Sequence, residues 1–135
     1  MREQIKMLLN EGQVNSAFHQ ALVANDLSLV EFLLERADFK TVFNPCPLQQ
    51  TVLLSLIQQI SADMSNHNEL KHDYLTEAIL SLDLRDSTTK EHAPKVLREL
   101  LQNCQNYILA NPKSSISSSV RMVMMATQGL GFKLF

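Results

Sequence analysis

The chain has 135 residues and a formal charge of −2, with 45% hydrophobic and 19% charged residues. This balance excludes intrinsic disorder, and the length suits one domain that buries about two-thirds of its unfolded surface without staples. Three glycines and four prolines favour long uninterrupted elements, while Cys46 and Cys104 lie far apart without a disulfide framework and point to a reducing, intracellular setting. No signal-peptide pattern and no Asn-x-Ser/Thr acceptor occurs, and the helix pattern that begins directly after Met1 fits a piece of a longer protein. The charge is uneven. Residues 1–84 carry five basic and eleven acidic side chains, net −6, and residues 85–135 carry seven and three, net +4.

Taken in order, Ile5, Leu8 and Leu9 recur at i, i+3, i+4 and predict a short amphipathic helix over 2–11, stopped by Gly12. Val14, Ala17, Phe18, Ala21 and Leu22 predict a second helix ending near Asn25. Asp26 suits the N-cap of a third, lined by Leu27, Val30, Leu33, Leu34 and Ala37. The link between them is short enough to force an antiparallel hairpin. Residues 38–44 add a short turn that buries Phe39, Val42 and Phe43.

The longest apolar run spans 45–64 and predicts a central helix, with Pro47 in its first turn because a proline lacks only an N–H that is unpaired there. Val52, Leu53, Leu56, Ile57, Ile60 and Met64 fill an arc of about 140° at about 100° per residue, which implies neighbours on more than one side. Leu54 falls outside the arc, beside Gln50, Gln58 and Ser61, and is expected to be exposed. Gln49, Gln50, Gln58, Gln59 and Asp63 make the run too polar to span a membrane.

Residues 65–68 form a polar loop whose Asn68 can cap a helix lined by Leu70, Tyr74, Leu75, Ala78, Ile79 and Leu82. Thr88-x-x-Glu91 matches a capping box, and Pro94 predicts a break or kink, with a main helix over 93–110. Val96, Leu97, Leu100, Leu101, Cys104, Tyr107 and Ile108 are its core stripe. Pro112 ends it, Ser114 or Ser115 caps a last helix lined by Ile116, Val120, Val123 and Thr127, and Gly129 is expected to stop that helix before an apolar tail. No stretch alternates long enough for a strand. The expectation is all-α: about seven helices stacked as antiparallel hairpins.

In the first half, Gly12-Gln-Val-Asn-Ser-Ala-Phe-His-Gln-Ala-Leu22, Asp26-Leu-Ser-Leu-Val30, Val42-Phe43, Cys46-Pro-Leu48 and Val52-Leu-Leu-Ser-Leu-Ile-Gln-Gln59 follow one another. Together they resemble the C-terminal domain of the enhancer of mRNA-decapping protein 4 family, Hedls in animals and varicose in plants. From about Arg85 the resemblance is loose. It implies an armadillo- or HEAT-like helical fold over 1–135, at the end of a cytoplasmic scaffold whose WD40 propeller is absent here. It also implies a non-catalytic role in assembling the decapping machinery and in targeting processing bodies. The partners implied are decapping-complex proteins, the 5′-to-3′ exonuclease machinery and other copies of the scaffold.

No nucleophile elbow or P-loop is present, and Gly129-Leu-Gly131 lacks the third glycine of a dinucleotide fingerprint. His19, His67, His72 and His92 include no His-x-x-x-His pair, and no Cys-x-x-Cys occurs, so neither metal nor cofactor is expected. Asp73 and Glu77 share a helical face and read as a solvated acidic surface rather than an acid–base pair. Gln58 and Gln59 are either helix-favouring surface residues or neutral contacts beside Leu54. Asn15 and Gln20 face away from the Val14–Leu22 stripe. Tyr74 belongs to the core stripe or to the edge of a contact surface. With the protein-docking role that the resemblance implies, Asn15, Gln20, Gln58, Gln59, Lys71 and Tyr74 are the candidate protein-contact residues. Met122 and Met125 either form an adaptable partner surface or are covered by the tail. The alternative function is RNA binding by the basic residues Arg85, Lys90, Lys95, Arg98, Lys113 and Arg121, against which Tyr107, the nearby aromatic, is assigned to the core stripe.

Overall fold

A computed structural model describes residues 2–37, 39–43, 48–62, 69–111 and 117–134. They form α1 (Arg2–Asn10), α2 (Val14–Val23), α3 (Leu27–Arg36), the single turn α4 (Phe39–Val42), α5 (Gln50–Ser61), α6 (Glu69–Leu80), α7 (Ser87–Ala110) and α8 (Ser117–Leu134). Among the described residues there is no strand.

The order follows from local signals. Gly12 takes φ +77°, a left-handed turn that glycine adopts without steric cost, and so turns α1 into α2. Asn25 at φ +53° makes the next turn. Asp26 Oδ1 then accepts from the Ser28 N–H at 3.0 Å and from the Ser28 hydroxyl at 2.7 Å, capping α3. These bonds favour the charged carboxylate, and the Ser28 side-chain bond is the main reason that Asp26 titrates below its ordinary value.

Three hairpins stack. α2 and α3 form the first, α5 and α6 the second, α7 and α8 the third. α2 packs on α5 and α5 on α7; α3 packs on α6 and α6 on α8. The result is two parallel rows, α2–α5–α7 and α3–α6–α8, the layered plan of a helical solenoid. α1 lies across the first hairpin, against both α2 and α3. Phe32 of α3 holds it there by a cation–π cluster, with the Arg2 guanidinium 5.0 Å, the Lys6 ammonium 5.8 Å and the Arg36 guanidinium 5.3 Å from the ring centre. The core runs the length of the stack, from Ile5 and Phe18 through Leu56, Ile57 and Ile79 to Leu100, Val120 and Val123, each fully buried.

Four expectations need correction. α5 begins at Gln50, since Gln49 is extended at ψ 156°, so Leu48 and Gln49 precede the helix. Leu54 is buried, because α7 packs on the side of α5 that carries it. α7 starts at Ser87 and runs through Pro94; its cap is Asp86, whose carboxylate accepts from the Thr89 N–H at 3.1 Å, rather than the Thr88 box. Pro94 removes the i+4 donor for the Lys90 carbonyl, and burial of Thr89 and Ala93 before it and of Val96 and Leu97 after it outweighs that loss. α8 runs through Gly129 to Leu134, where a stop and a loose tail were expected. Pro47, Met64, the 65–68 loop with its Asn68 cap, Ser114, Ser115 and Ile116 lie outside the described residues.

Candidate functional site

Helix ends leave backbone groups without intrahelical partners. Along the first row, neutral side chains of one helix satisfy those of the next. The Gln49 N–H, at the entry to α5, donates to Asn15 Oδ1 of α2 at 2.8 Å. Gln59 Nε2 of α5 donates to the Leu22 carbonyl near the end of α2 at 2.8 Å. Asn103 Nδ2 of α7 donates to the Ser61 carbonyl at the end of α5 at 3.0 Å. Gln50 ties the α6–α7 link: its Oε1 accepts from the Asp83 N–H at 2.8 Å and from the Thr89 hydroxyl at 2.7 Å. Its Nε2 donates to the Ser81 carbonyl at 3.3 Å.

The second row is tied differently. Lys71 of α6 is 5% exposed, and its Nζ lies 2.7 Å from Glu31 Oε1 of α3. Tyr74 is fully buried. Its ring meets Phe18 at 6.2 Å, Phe39 at 5.2 Å and Phe43 at 5.7 Å between centroids, and its hydroxyl donates to the Leu34 carbonyl at 3.4 Å.

The six sequence-predicted contact residues are thus not one patch. Lys71 and Tyr74, expected at the surface, are buried; the core-stripe reading of Tyr74 is the one its surroundings match. Asn15 and Gln59 are half-buried in interhelical hydrogen bonds, and Gln20 is half-buried on α2. Gln58 alone of the six is exposed. No periodicity separates an amide facing water from one facing a helix end, so Gln50 and Asn103 carried no signal of their role.

Gln58 belongs to a ridge on α5 with Thr51 and Ser55, and a groove runs on each side. The groove toward α7 has a volume of about 350 Å³; Leu54 and Val96 form its floor, and Thr88, His92 and Lys95 its far wall. The hollow toward α2 is about 150 Å³, and His19, Leu22 and Val23 face Thr51, Val52 and Ser55 across it. Val23 is 65% exposed. The ridge is uncharged, with one cation and two histidines at its borders. It can offer hydroxyl and amide hydrogen bonds beside apolar floor, which suits a peptide or helix better than a reaction.

Chemistry is sparse elsewhere. Among the described residues no group of three His, Cys, Asp or Glu is placed to hold a metal, and no helix is long and apolar enough to cross a membrane. Burial pushes the Cys104 thiol up to about 12, so it stays protonated and unreactive at neutral pH. Met122 and Met125 of α8 are 64% and 70% exposed, which excludes their being covered by the tail.

Residues 5–123 match the family model described as "Enhancer of mRNA-decapping protein 4, C-terminal". The enhancer of mRNA-decapping protein 4 homolog of Drosophila melanogaster is 59% identical over 128 residues, which cover 93% of this chain and 10% of that protein. The Danio rerio and Homo sapiens proteins of that name are 44% and 41% identical over 128 residues, again 93% of this chain but 9% of theirs. This chain therefore spans about a tenth of the length of those relatives. A solved structure titled "Crystal structure of the conserved C-terminal region of Ge-1" superposes with a TM-score of 0.90 at 57% identity, covering 96% of this chain and 98% of that one. With its helical stack and its sequence both matched nearly end to end, the chain belongs to the C-terminal region of the enhancer of mRNA-decapping protein 4 family.

Proposed function

We propose that residues 1–135 form one non-catalytic protein-interaction domain at the end of an mRNA-decapping scaffold. It supports assembly of the decapping complex and localisation to cytoplasmic processing bodies. The partners are decapping-complex proteins and 5′-to-3′ decay factors, and other copies of the scaffold are a further class. The observation that carries this reading, within a chain of this family, is the uncharged ridge of exposed Thr51, half-buried Ser55 and exposed Gln58 with a groove on each side. Of the contact residues expected from the sequence, Gln58 remains a direct contact; Asn15, Gln59, Lys71 and Tyr74 act by holding the helices that present the ridge, and Gln20 lies half-buried on α2. Interfaces of this kind concentrate their affinity in a few residues, so a ridge substitution has a large effect on docking.

The test is imaging of the tagged chain in cells. The wild type concentrates in processing bodies, and Thr51→Arg with Gln58→Arg makes it diffuse while leaving the thermal midpoint within a few degrees, since Thr51 and Gln58 are exposed. If the double variant still concentrates there, the ridge is not the docking surface. RNA binding gains no specific observation: Arg85, Lys90, Lys95, Arg98 and Arg121 are exposed along α7, α8 and the link before α7, and Tyr107 is half-buried rather than free to stack on a base.

A further inference from the structure

The two ends of the stack differ. α1 closes the first hairpin, as a capping element closes a solenoid. At the other end α8 turns Val120, Val123 and Thr127 inward, all buried, against α6 and α7. Its opposite side carries Met122 and Met125, 64% and 70% exposed, with Gly129 exposed one turn on. At about 100° per residue these three fall within an arc of about 60°. Terminal elements of a solenoid ordinarily turn a polar side outward, and large exposed methionines are the adaptable apolar residues of protein contacts.

Gly129 adds an independent observation. A glycine weakens a helix interior, yet a Cβ built there meets no atom within 4 Å among the described residues, so no described neighbour requires its absence. A backbone left bare on an exposed helical face admits close approach of another helix.

Charge selects the occupant. From Leu100 to Phe135 the chain carries Lys113, Arg121 and Lys133 and no acidic side chain. A second copy meeting this face through a two-fold axis would set cations against cations. A head-to-tail second copy would instead bring α8 to the α1–α3 end, where residues 2–37 carry three basic and five acidic side chains, and sedimentation separates that occupant from a partner helix. We propose that the Met122–Met125–Gly129 face of α8 is a docking ridge for an acidic amphipathic helix of a partner protein, which adds one layer to the stack. The proposal rests on the reading of the chain as a docking module but uses a face apart from the α5 ridge.

The test uses three fluorescein-labelled synthetic helical peptides with one shared leucine stripe and flanks of Glu, Gln or Lys, titrated with the chain by fluorescence anisotropy. The Glu-flanked peptide binds more tightly than the Lys-flanked one by about tenfold or more. Met122→Glu with Met125→Glu lowers that affinity by about tenfold or more, and Arg121→Glu removes the preference for acidic flanks. Met125→Ser, checked by circular dichroism, weakens binding without adding charge. Gln102→Arg, at an exposed position of α7 on neither docking face, leaves peptide binding unchanged. Failure of the Glu-flanked peptide to bind, equal binding of all three, or full binding by the methionine variants overturns the proposal. So does a dimer in sedimentation that Met125→Ser dissolves, because the face then belongs to a second copy.

Discussion

Lys71 shows how a charged residue becomes structural. Its ammonium sits 2.7 Å from Glu31 with the lysine side chain 6% exposed and the glutamate 37%. Breaking such a pair leaves a charge without its partner in a poorly solvated place. Lys71→Glu therefore lowers stability by about 3 kcal/mol or more in chemical denaturation, and Lys71→Met, which keeps the buried stem and removes the charge, costs less. Equal, negligible effects of both substitutions would place Lys71 at the surface after all. Gln59 works on the same scale with a neutral group: its bond to the Leu22 carbonyl is worth about 1 kcal/mol. The apolar residues of this core were legible in the sequence, because Phe18, Leu22, Val30, Leu56, Ile57, Ile60 and Ile79 recur at helical spacing and all are buried. The polar ties were not, because hydropathy scores Asn15 and Gln59 as it scores Gln58, and the difference between them is what lies across the gap.

At the scale of elements, the hairpin α2–α3 was the most legible, since its cap, turn and stripes all agree on one answer. The boundaries misplaced at Pro94 and Gly129 share one physical cause. Pro94 and Gly129 weaken a helix locally, but α7 buries Ala93, Val96 and Leu97 around the first, and around the second α8 buries Thr127 and packs Leu130 against the core. Tertiary packing outweighs propensity of about 1 kcal/mol for a glycine. The consequence is testable by thermal unfolding. Gly129→Ala raises stability by up to about 1 kcal/mol, since its Cβ enters open space. A drop in stability would mean that α8 does not continue through residue 129. Leu54 marks the same limit from the other side: its position on the helical wheel was read correctly, but the position of α7 was not in the wheel.

At the scale of the molecule, two helix rows place the apolar stripes inward and leave two kinds of surface. The first row shows the uncharged ridge of Thr51, Ser55 and Gln58 between its grooves. The last hairpin shows the methionine face of α8. Charge follows the stack, acidic in the first 84 residues and basic in the rest, so a partner with an acidic helix meets a favourable field at the α8 end. This division of surfaces was only partly legible. The uncharged Gln58 and the exposed methionines could be picked from the sequence, but their separation onto different faces follows from the stacking alone.

A stack that docks proteins directly keeps its partners when RNA is removed. Co-purification of the tagged chain from nuclease-treated lysate, with bound proteins identified and compared with the Thr51→Arg, Gln58→Arg double variant, tests it most directly. Decapping proteins are expected to stay with the wild type after RNA is destroyed and to be lost from the variant. Binding that disappears with the RNA would contradict it and move the site to the basic residues of α7 and α8.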